Sequence, residues 1–313
     1  MPELAPPPDT APVLAQQFKV QDDCSLQVTV PRSRVRLRPA TAPDRVSVDI
    51  TVAGTDAVSD ETIIERLDIG TRQVKETIRI ASGAPSQDPD WWRWMRETEA
   101  VVFLDVRVPS PVEASLHLPG GTLALSALRG AVDASVTGGA IRIDRFTGPL
   151  SLTGRRSPIH VSEAEGPSLT IESAGAPVTI TDGQSDRVDV TSVSGPLAIE
   201  NARGACTVSA HASPVTLTNL TGTCQATAHG GSLTFASSLP APATLTTVGA
   251  PLTAELAAST EATLEATGAP VTIGASLPFD GEQTDSHLHG TLNGGGPALS
   301  LQAIRGRVHC DVA

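Results

Sequence analysis

The sequence predicts an all-β protein, a single-stranded β-solenoid (β-helix) with about two short strands in each coil of 18–19 residues. Three observations predict this fold. A phrase with a small residue, often a Pro, and then apolar-x-apolar returns along the chain. The apolar residues are mostly Val, Leu, Ile and Ala, and only 3% of residues are aromatic. The 27 Gly and 25 Pro suit many short strands joined by tight turns.

The first apolar residues of successive phrases follow one another at steps of nine or ten, so each phrase is one short strand and one turn. Within a strand, apolar and polar residues alternate, which buries one face. The phrase reads, for example, Gly148-Pro149-Leu150-Ser151-Leu152, Ala176-Pro177-Val178-Thr179-Ile180, Gly195-Pro196-Leu197-Ala198-Ile199, Ser213-Pro214-Val215-Thr216-Leu217 and Ala269-Pro270-Val271-Thr272-Ile273.

Two kinds of phrase alternate, one after a small-residue turn and one after a more varied turn. Like follows like after 18 or 19 residues, as from Val178 to Leu197 and from Val215 to Leu233. Strands that recur in this way stack about 4.8 Å apart. An antiparallel β-sandwich is the competing layout, but its loops would differ more in length and kind.

Identical residues that lie one coil apart should be vertical neighbours in such a stack. Asn tolerates left-handed turns and can bond its own copies. Three pairs lie 18 positions apart: Asn201 and Asn219, Cys206 and Cys224, and His211 and His229.

The chain is expected to have three parts. Residues 1–17 are Pro- and Ala-rich and are predicted to be disordered. Residues 18–118 form a charged, β-rich region that caps the stack, because an exposed stack end would pair with another chain. Residues 119–313 hold the regular repeats, with an irregular loop at 274–290. The strands predicted in the capping region are Ser25–Val30, Arg34–Leu37, Val46–Val52, Leu67–Ile69, Thr77–Ile80, Val101–Val108 and Ala114–Leu118.

This order of motifs resembles the bacterial putative-adhesin β-strand-repeat family, a family of unknown function. The resemblance covers about residues 18–313 and implies a stacked β architecture and, by name, adhesion. It supplies no catalytic residues. The motifs are Phe18-Lys19-Val20, Arg45-Val46-Ser47-Val48, Arg66-Leu67-Asp68-Ile69 and Leu104-Asp105-Val106-Arg107-Val108-Pro109, followed at once by the repeats.

A Trp-rich insertion at 86–97 is the first candidate binding site. It contains every Trp of the chain, and clustered Trp and Arg are typical of binding hot spots. The alternative is that the insertion packs on the end of the stack. The candidate residues are Trp91, Trp92, Arg93, Trp94 and Arg96.

Four His residues are the candidate metal ligands. His211 and His229 each follow a Cys by five residues, and His287-x-His289 would place both rings on one face of a strand. Solvated turn His and small core Cys are the favoured interpretation of the first pair, and a solvated loop is the favoured interpretation of the second. No cofactor is predicted.

The sequence favours a non-enzymatic structural protein. The nucleophile elbow, the His-Glu-x-x-His motif and the phosphate loop are absent from it. The net charge of −12 opposes nucleic acid as a partner, and no apolar stretch is long enough to span a membrane. The N-terminus does not read as a signal peptide, so we expect either a cytoplasmic protein or a surface protein whose export signal has been removed.

We expect an extended surface for contact with another protein or a glycan. One alternative is self-assembly into a bactofilin-like filament or an end-to-end dimer. Its motive is that the repeat continues through Gly306–Cys310 and stops without an evident cap. A carbohydrate-active enzyme is the remaining alternative, although the outward strand positions are mostly Thr, Ser and Ala.

Overall fold

Alternating apolar and small polar residues form almost every element of the chain. The structure is a computed structural model and describes residues 11–21, 24–53, 60–83, 90, 93–94, 97, 101–237 and 242–312. The described residues are predominantly strands, and most strands pair in ladders, so the predicted all-β class is confirmed. The chain divides into two units, 1–158 and 159–313.

In unit 1 the buried positions alternate along the strands, as in Cys24–Thr29 and Val112–Pro119. A long strand, Thr122–Thr137, turns in its middle, where Ala127 and Gly130 have positive φ. The strands are β1 Leu14–Lys19, β2 Cys24–Thr29, β3 Ser33–Pro39, β4 Arg45–Ala53, β5 Ile69–Val74, β6 Thr77–Ser82, β7 Val101–Val108, β8 Val112–Pro119, β9 Thr122–Thr137, β10 Ile141–Thr147 and β11 Leu150–Arg155, with helix α1 at Asp60–Leu67.

Two ladders organise unit 1. The first has the order β5–β6–β2–β8–β9–β11 and is parallel except at β5. The second has the order β1–β4–β7–β3–β9–β10, in which β1 and β4 are antiparallel additions. The first coil of the chain, β2 and β3, therefore lies between two other coils, and antiparallel strands cover the outer side.

Unit 2 continues the same alternation with shorter strands. Its strands are β12 Ile159–Ala174, β13 Val178–Thr181, β14 Gln184–Val193, β15 Leu197–Glu200, β16 Arg203–His211, β17 Val215–Thr218, β18 Cys224–His229, β19 Leu233–Ser237, β20 Ala243–Val248, β21 Leu252–Leu256, β22 Ala262–Thr267, β23 Val271–Ile273, β24 Phe279–Gln283, β25 His287–Leu292, β26 Ala298–Ile304 and β27 Val308–Val312.

The ladders of unit 2 confirm the predicted spacing residue by residue. Val178 pairs with Leu197, Leu197 with Val215, and Val215 with Leu233, all in parallel register. The first ladder of unit 2 has the order β12–β14–β16–β18–β20–β26–β22–β25–β24. The other has the order β12–β13–β15–β17–β19–β21–β27–β23.

The final coil, β26 and β27, is not open as the sequence suggested. Leu252 N donates to Arg307 O at 2.9 Å on one side, and Val308 N donates to Pro270 O at 2.9 Å on the other. The last coil of the chain is therefore inserted between two earlier ones. The uncovered edge that the self-association hypothesis required of this coil does not exist.

The segment expected to be an irregular loop instead contains a hairpin, β24 and β25, which covers β22. Gly281 and Gly290 lie opposite each other in this hairpin, and a Cβ at either position would come within 3 Å of the Phe279 ring. The missing side chains leave room for the ring to lie against the backbone. Asp285 O accepts a hydrogen bond from Val271 N at 2.9 Å, so the hairpin turn also covers β23.

Two further expectations, one for the N-terminal segment and one for the capping region, need correction. Leu14–Gln17, predicted to be disordered, form the start of β1. Along this strand the half-buried residues Leu14, Gln16 and Phe18 alternate with exposed residues. Leu67–Ile69, predicted as a strand, instead joins the end of α1 to the start of β5. Ile63 and Leu67 share one buried helix face, a 3.6-residue period that is hard to recognise in only eight residues.

Substitution of Thr260 tests whether a buried hydroxyl group destabilises the turn before β22. Its hydroxyl is buried and has no hydrogen-bond partner among the described residues. We expect Thr260→Val to raise the free energy of unfolding by about 1 kcal/mol, because it removes a desolvated polar group. In the matched control, Thr247→Val, the hydroxyl donates to Ala250 O at 2.9 Å and its loss should be destabilising. Denaturant unfolding followed by circular dichroism compares the two; stabilisation by both variants would contradict this account.

Candidate functional site

The described part of the Trp-rich insertion contacts helix α1. The Arg66 guanidinium lies 4.5 Å from the centroid of the half-buried Trp94 ring, a cation–π contact. Arg93 is exposed and pairs with Asp90 at 3.0 Å. Trp91, Trp92 and Arg96 lie outside the described residues. The one Trp side chain that the structure places is thus engaged within unit 1.

His211 and His229 stack on the outward face of their ladder. The ring centroids lie 4.9 Å apart with an interplanar angle of 7°. The two residues end β16 and β18 and are exposed. Val193 and Val248 flank the pair in the same register, and Val193 is 41% exposed. The result is a column of outward-facing apolar and aromatic side chains. The repeat length predicts the stacking of the two His residues, whereas sequence reasoning did not identify the flanking Val residues.

Cys206 and Cys224 face the other side of the same strands. They are directly paired and buried, whereas the two His residues point outward. The hydrogen bond between the thiols, together with burial, raises the pKa of Cys224. Burial also raises the pKa of Cys310 to about 12 and, with the nearby Glu76 charge, that of Cys24 to about 11. Cys24, Cys224 and Cys310 therefore stay protonated and are poor nucleophiles and metal ligands.

His287 and His289 lie on the exposed face of β25, with ring centroids 6.5 Å apart. Glu265 and Glu282 pair with His289 from the two neighbouring strands. His287 Nδ1 lies 3.5 Å from the Thr267 hydroxyl. Across the part of the chain that the structure describes, no three His, Cys, Asp or Glu side chains are gathered as a metal site would require.

The predicted Asn pair forms part of a hydrogen-bonded row at the turns. Asn219 Nδ2 donates to Asn201 Oδ1 at 3.3 Å, and Asn201 Nδ2 donates to Asp182 Oδ1 at 3.1 Å. All three have φ between 51° and 55°, the left-handed conformation that Asn and Asp tolerate. The side-chain amides of Asn201 and Asn219 therefore stabilise the turns.

An Arg-rich face lies on the second ladder of unit 1. Strand β3 carries Arg34, Arg36 and Arg38 on its outward side, because Val35 and Leu37 between them are fully buried. Asp105 on the paired strand β7 accepts hydrogen bonds from Arg38. A basic face of this kind contrasts with the net charge of −12 for the chain.

Among the described residues, no helix has the length and apolar character needed to cross a membrane.

Comparison with known proteins leaves the chain without an assigned family. No family model matches it, and no curated protein matches its sequence. The crystal structure of a "putative cell adhesion protein" from Clostridium sporogenes aligns over 96% of this chain and 99% of its own, with 6% sequence identity and a TM-score of 0.20. At that TM-score and identity, neither fold nor function of this chain follows from the likeness.

Proposed function

We propose that this chain is a non-enzymatic β-solenoid whose outward faces act as an adhesive or scaffolding surface for a protein or a glycan. The observation that supports it most is the in-register pairing of parallel strands in two ladders, with alternate residues buried. Each coil would then contribute one strand to each ladder, and the buried side chains of the two ladders would form the core between them.

The outward positions of such a solenoid form continuous columns of small polar side chains. In the first ladder of unit 2, Thr191, Ser209, Thr227 and Thr246 follow one another in register. Hydroxyl groups held at a strand spacing of about 4.8 Å offer many weak donors and acceptors on a flat surface. This arrangement suits contact over an extended area better than enclosure of a small substrate.

The chemistry of the described residues supports a binding role over catalysis. The cysteine thiols are buried. Glu172 pairs in register with Thr191, but within the described residues the hydroxyl groups of the column Thr191, Ser209, Thr227 and Thr246 form no hydrogen bond to a carboxylate or an imidazole. A nucleophilic hydroxyl needs an adjacent base within hydrogen-bond reach. The Thr and Ser columns are therefore proposed as contact surface.

The edges of the ladders support a monomer over a filament. The outermost strand of the first ladder in unit 2, β24, carries Asp280 and Glu282 on its exposed side, with Gly281 between them. Charged side chains on an edge strand oppose edge-to-edge pairing with a second copy. We therefore expect light scattering to give the monomer mass at every protein concentration; a mass that rises with concentration would favour the end-to-end alternative.

A glycan array combined with a hydrolysis screen tests the proposal itself. We expect binding to one or more surface glycans or to a protein ligand, without turnover of any glycan. Release of sugar products would contradict the non-enzymatic proposal. Absence of binding to glycans and to cell-surface proteins alike would contradict the adhesive one.

A further inference from the structure

Two arginines on the Arg-rich face of unit 1 bracket a residue without a long side chain. Arg36 on β3 and Arg142 on β10 both pair in register with Ala124 on β9, one from each side. Neighbouring strands are about 4.8 Å apart, so the two Arg Cα atoms are separated by about 9.6 Å. All three residues face outward, because Leu123 and Leu125 beside Ala124 are buried. The two arginine side chains therefore lie on either side of a small side chain on the outward face of the ladder.

The other cations of this face are already engaged. The Arg34 guanidinium lies 5.3 Å from the Phe103 ring centroid. Arg38 is paired with Asp105, and Arg107 lies 3.6 Å from Asp49. In contrast, Arg36 and Arg142 form neither an ion pair nor a side-chain hydrogen bond within the described residues.

The nearest carboxylates are held by other arginines. Asp105 pairs across the ladder with Arg36, but both of its oxygens accept hydrogen bonds from Arg38. Asp144, two residues after Arg142 on the same face of β10, lies 3.3 Å from the Arg145 guanidinium. The hydroxyl groups of Thr122 and Ser126 flank Ala124 on the same face of β9. The space above Ala124 is thus lined by two unpaired cations and two hydroxyl groups.

We infer that Arg36 and Arg142 bind the anionic group of a sulfated or carboxylated sugar above Ala124. This inference rests on the proposed function, because it names the ligand class of the adhesive surface. A guanidinium presents a planar fork of donors that matches a sulfate or carboxylate, and two forks can grip one oxyanion from opposite sides. The hydroxyl groups of Thr122 and Ser126 can hydrogen-bond the sugar ring beside it.

The charge of the whole chain favours a sugar over a nucleic acid. A polyphosphate would meet the repulsion of a protein with a net charge of −12, whereas one or two charges on a sugar are matched by the two arginines. The site is small, and its hydroxyl groups suit a polyhydroxylated ligand. A general polyanion site would lack this preference.

Isothermal titration with inorganic sulfate and with a sulfated disaccharide tests the site in the full chain. We expect Arg142→Ala and Arg36→Met each to weaken binding of both probes about 10-fold or more, since each removes a charge-assisted contact. Met retains the apolar stem with which the half-buried Arg36 covers the sheet. Ala124→Glu, which leaves both arginines in place and fills the space with a carboxylate, should abolish binding.

Arg187→Ala is the matched control, because it makes the same charge change at an exposed arginine of unit 2 that pairs with Asp189. It should leave the affinity within about twofold of the unmodified chain. The inference is overturned if neither probe binds, if binding survives the two site variants, or if a DNA duplex binds as tightly as the disaccharide. Binding of both probes at this site by a chain that recognises neither a surface glycan nor a cell-surface protein would support the site and overturn the adhesive function.

Discussion

Leu301→Ala is expected to lower the free energy of unfolding of unit 2 by about 2–5 kcal/mol. Leu301 is 1% exposed and pairs with Leu245 on one side and Ala266 on the other. Because a paired strand lies on each side of Leu301, its truncation leaves a closed cavity that neither neighbouring strand can fill. Far-UV circular dichroism should be the probe, because all three Trp residues lie in unit 1.

Ile304→Ala is the control in the same strand. Ile304 is 45% exposed, and its loss should change the free energy of unfolding by less than about 1 kcal/mol. If β26 were an outer rung, Leu301 would border solvent on one side and its truncation would cost little. Equal effects of the two substitutions would therefore contradict the inserted position of the final coil.

Gly204→Ala is expected to have the second large effect, a loss of about 3 kcal/mol or more. Gly204 has a φ of 114°, and a Cβ placed there would lie 1.9 Å from the Ser185 carbonyl oxygen of the neighbouring coil. An alanine would have both to leave its preferred backbone region and to push the coils apart. Because hydrogen bonds set the separation of the coils, the clash cannot be relieved at low energetic cost.

Gly230→Ala isolates the conformational part of this cost. Gly230 has a φ of 69°, but no atom lies within 4 Å of the position that its Cβ would take. Its substitution should cost about 1 kcal/mol, which reflects the left-handed backbone alone. A similar cost at the two glycines would show that the coils are not as closely stacked at Gly204 as described, and differential scanning calorimetry of both variants measures the difference.

The sequence pattern predicts the repeating unit, but it does not predict which copies of that unit pair with each other. The 18–19-residue spacing identifies Val178, Leu197 and Val215 as neighbours because each coil repeats the same alternation and the same small-residue turn. The pattern does not indicate the order in which the coils stack at the ends of the ladders. Leu245 and Leu264 look like successive rungs, yet Leu299 and Leu301 of the last coil are inserted between their strands. The residues within each strand are the same whether the last coil is inserted between earlier coils or stacked at the end.

The candidate sites show the same division between local and long-range information. The His211–His229 stack could be anticipated, since it follows from one repeat length. The Arg36–Ala124–Arg142 arrangement could not, because it joins the capping region to the repeats and depends on β3 lying next to β9. Even a regular alternation of Arg in β3 reads only as a solvated face until the neighbouring strands are known.

Hydrogen–deuterium exchange of the intact chain tests the central claim most directly, namely that the last coil is an inner coil of the ladders. The amides of β26 and β27 are bonded on both sides and should exchange as slowly as those of β16 and β18, whereas those of the outermost strand β24 should exchange much faster. Exchange in β26 and β27 as fast as in β24 would show that the coil is a frayed end and would contradict the account.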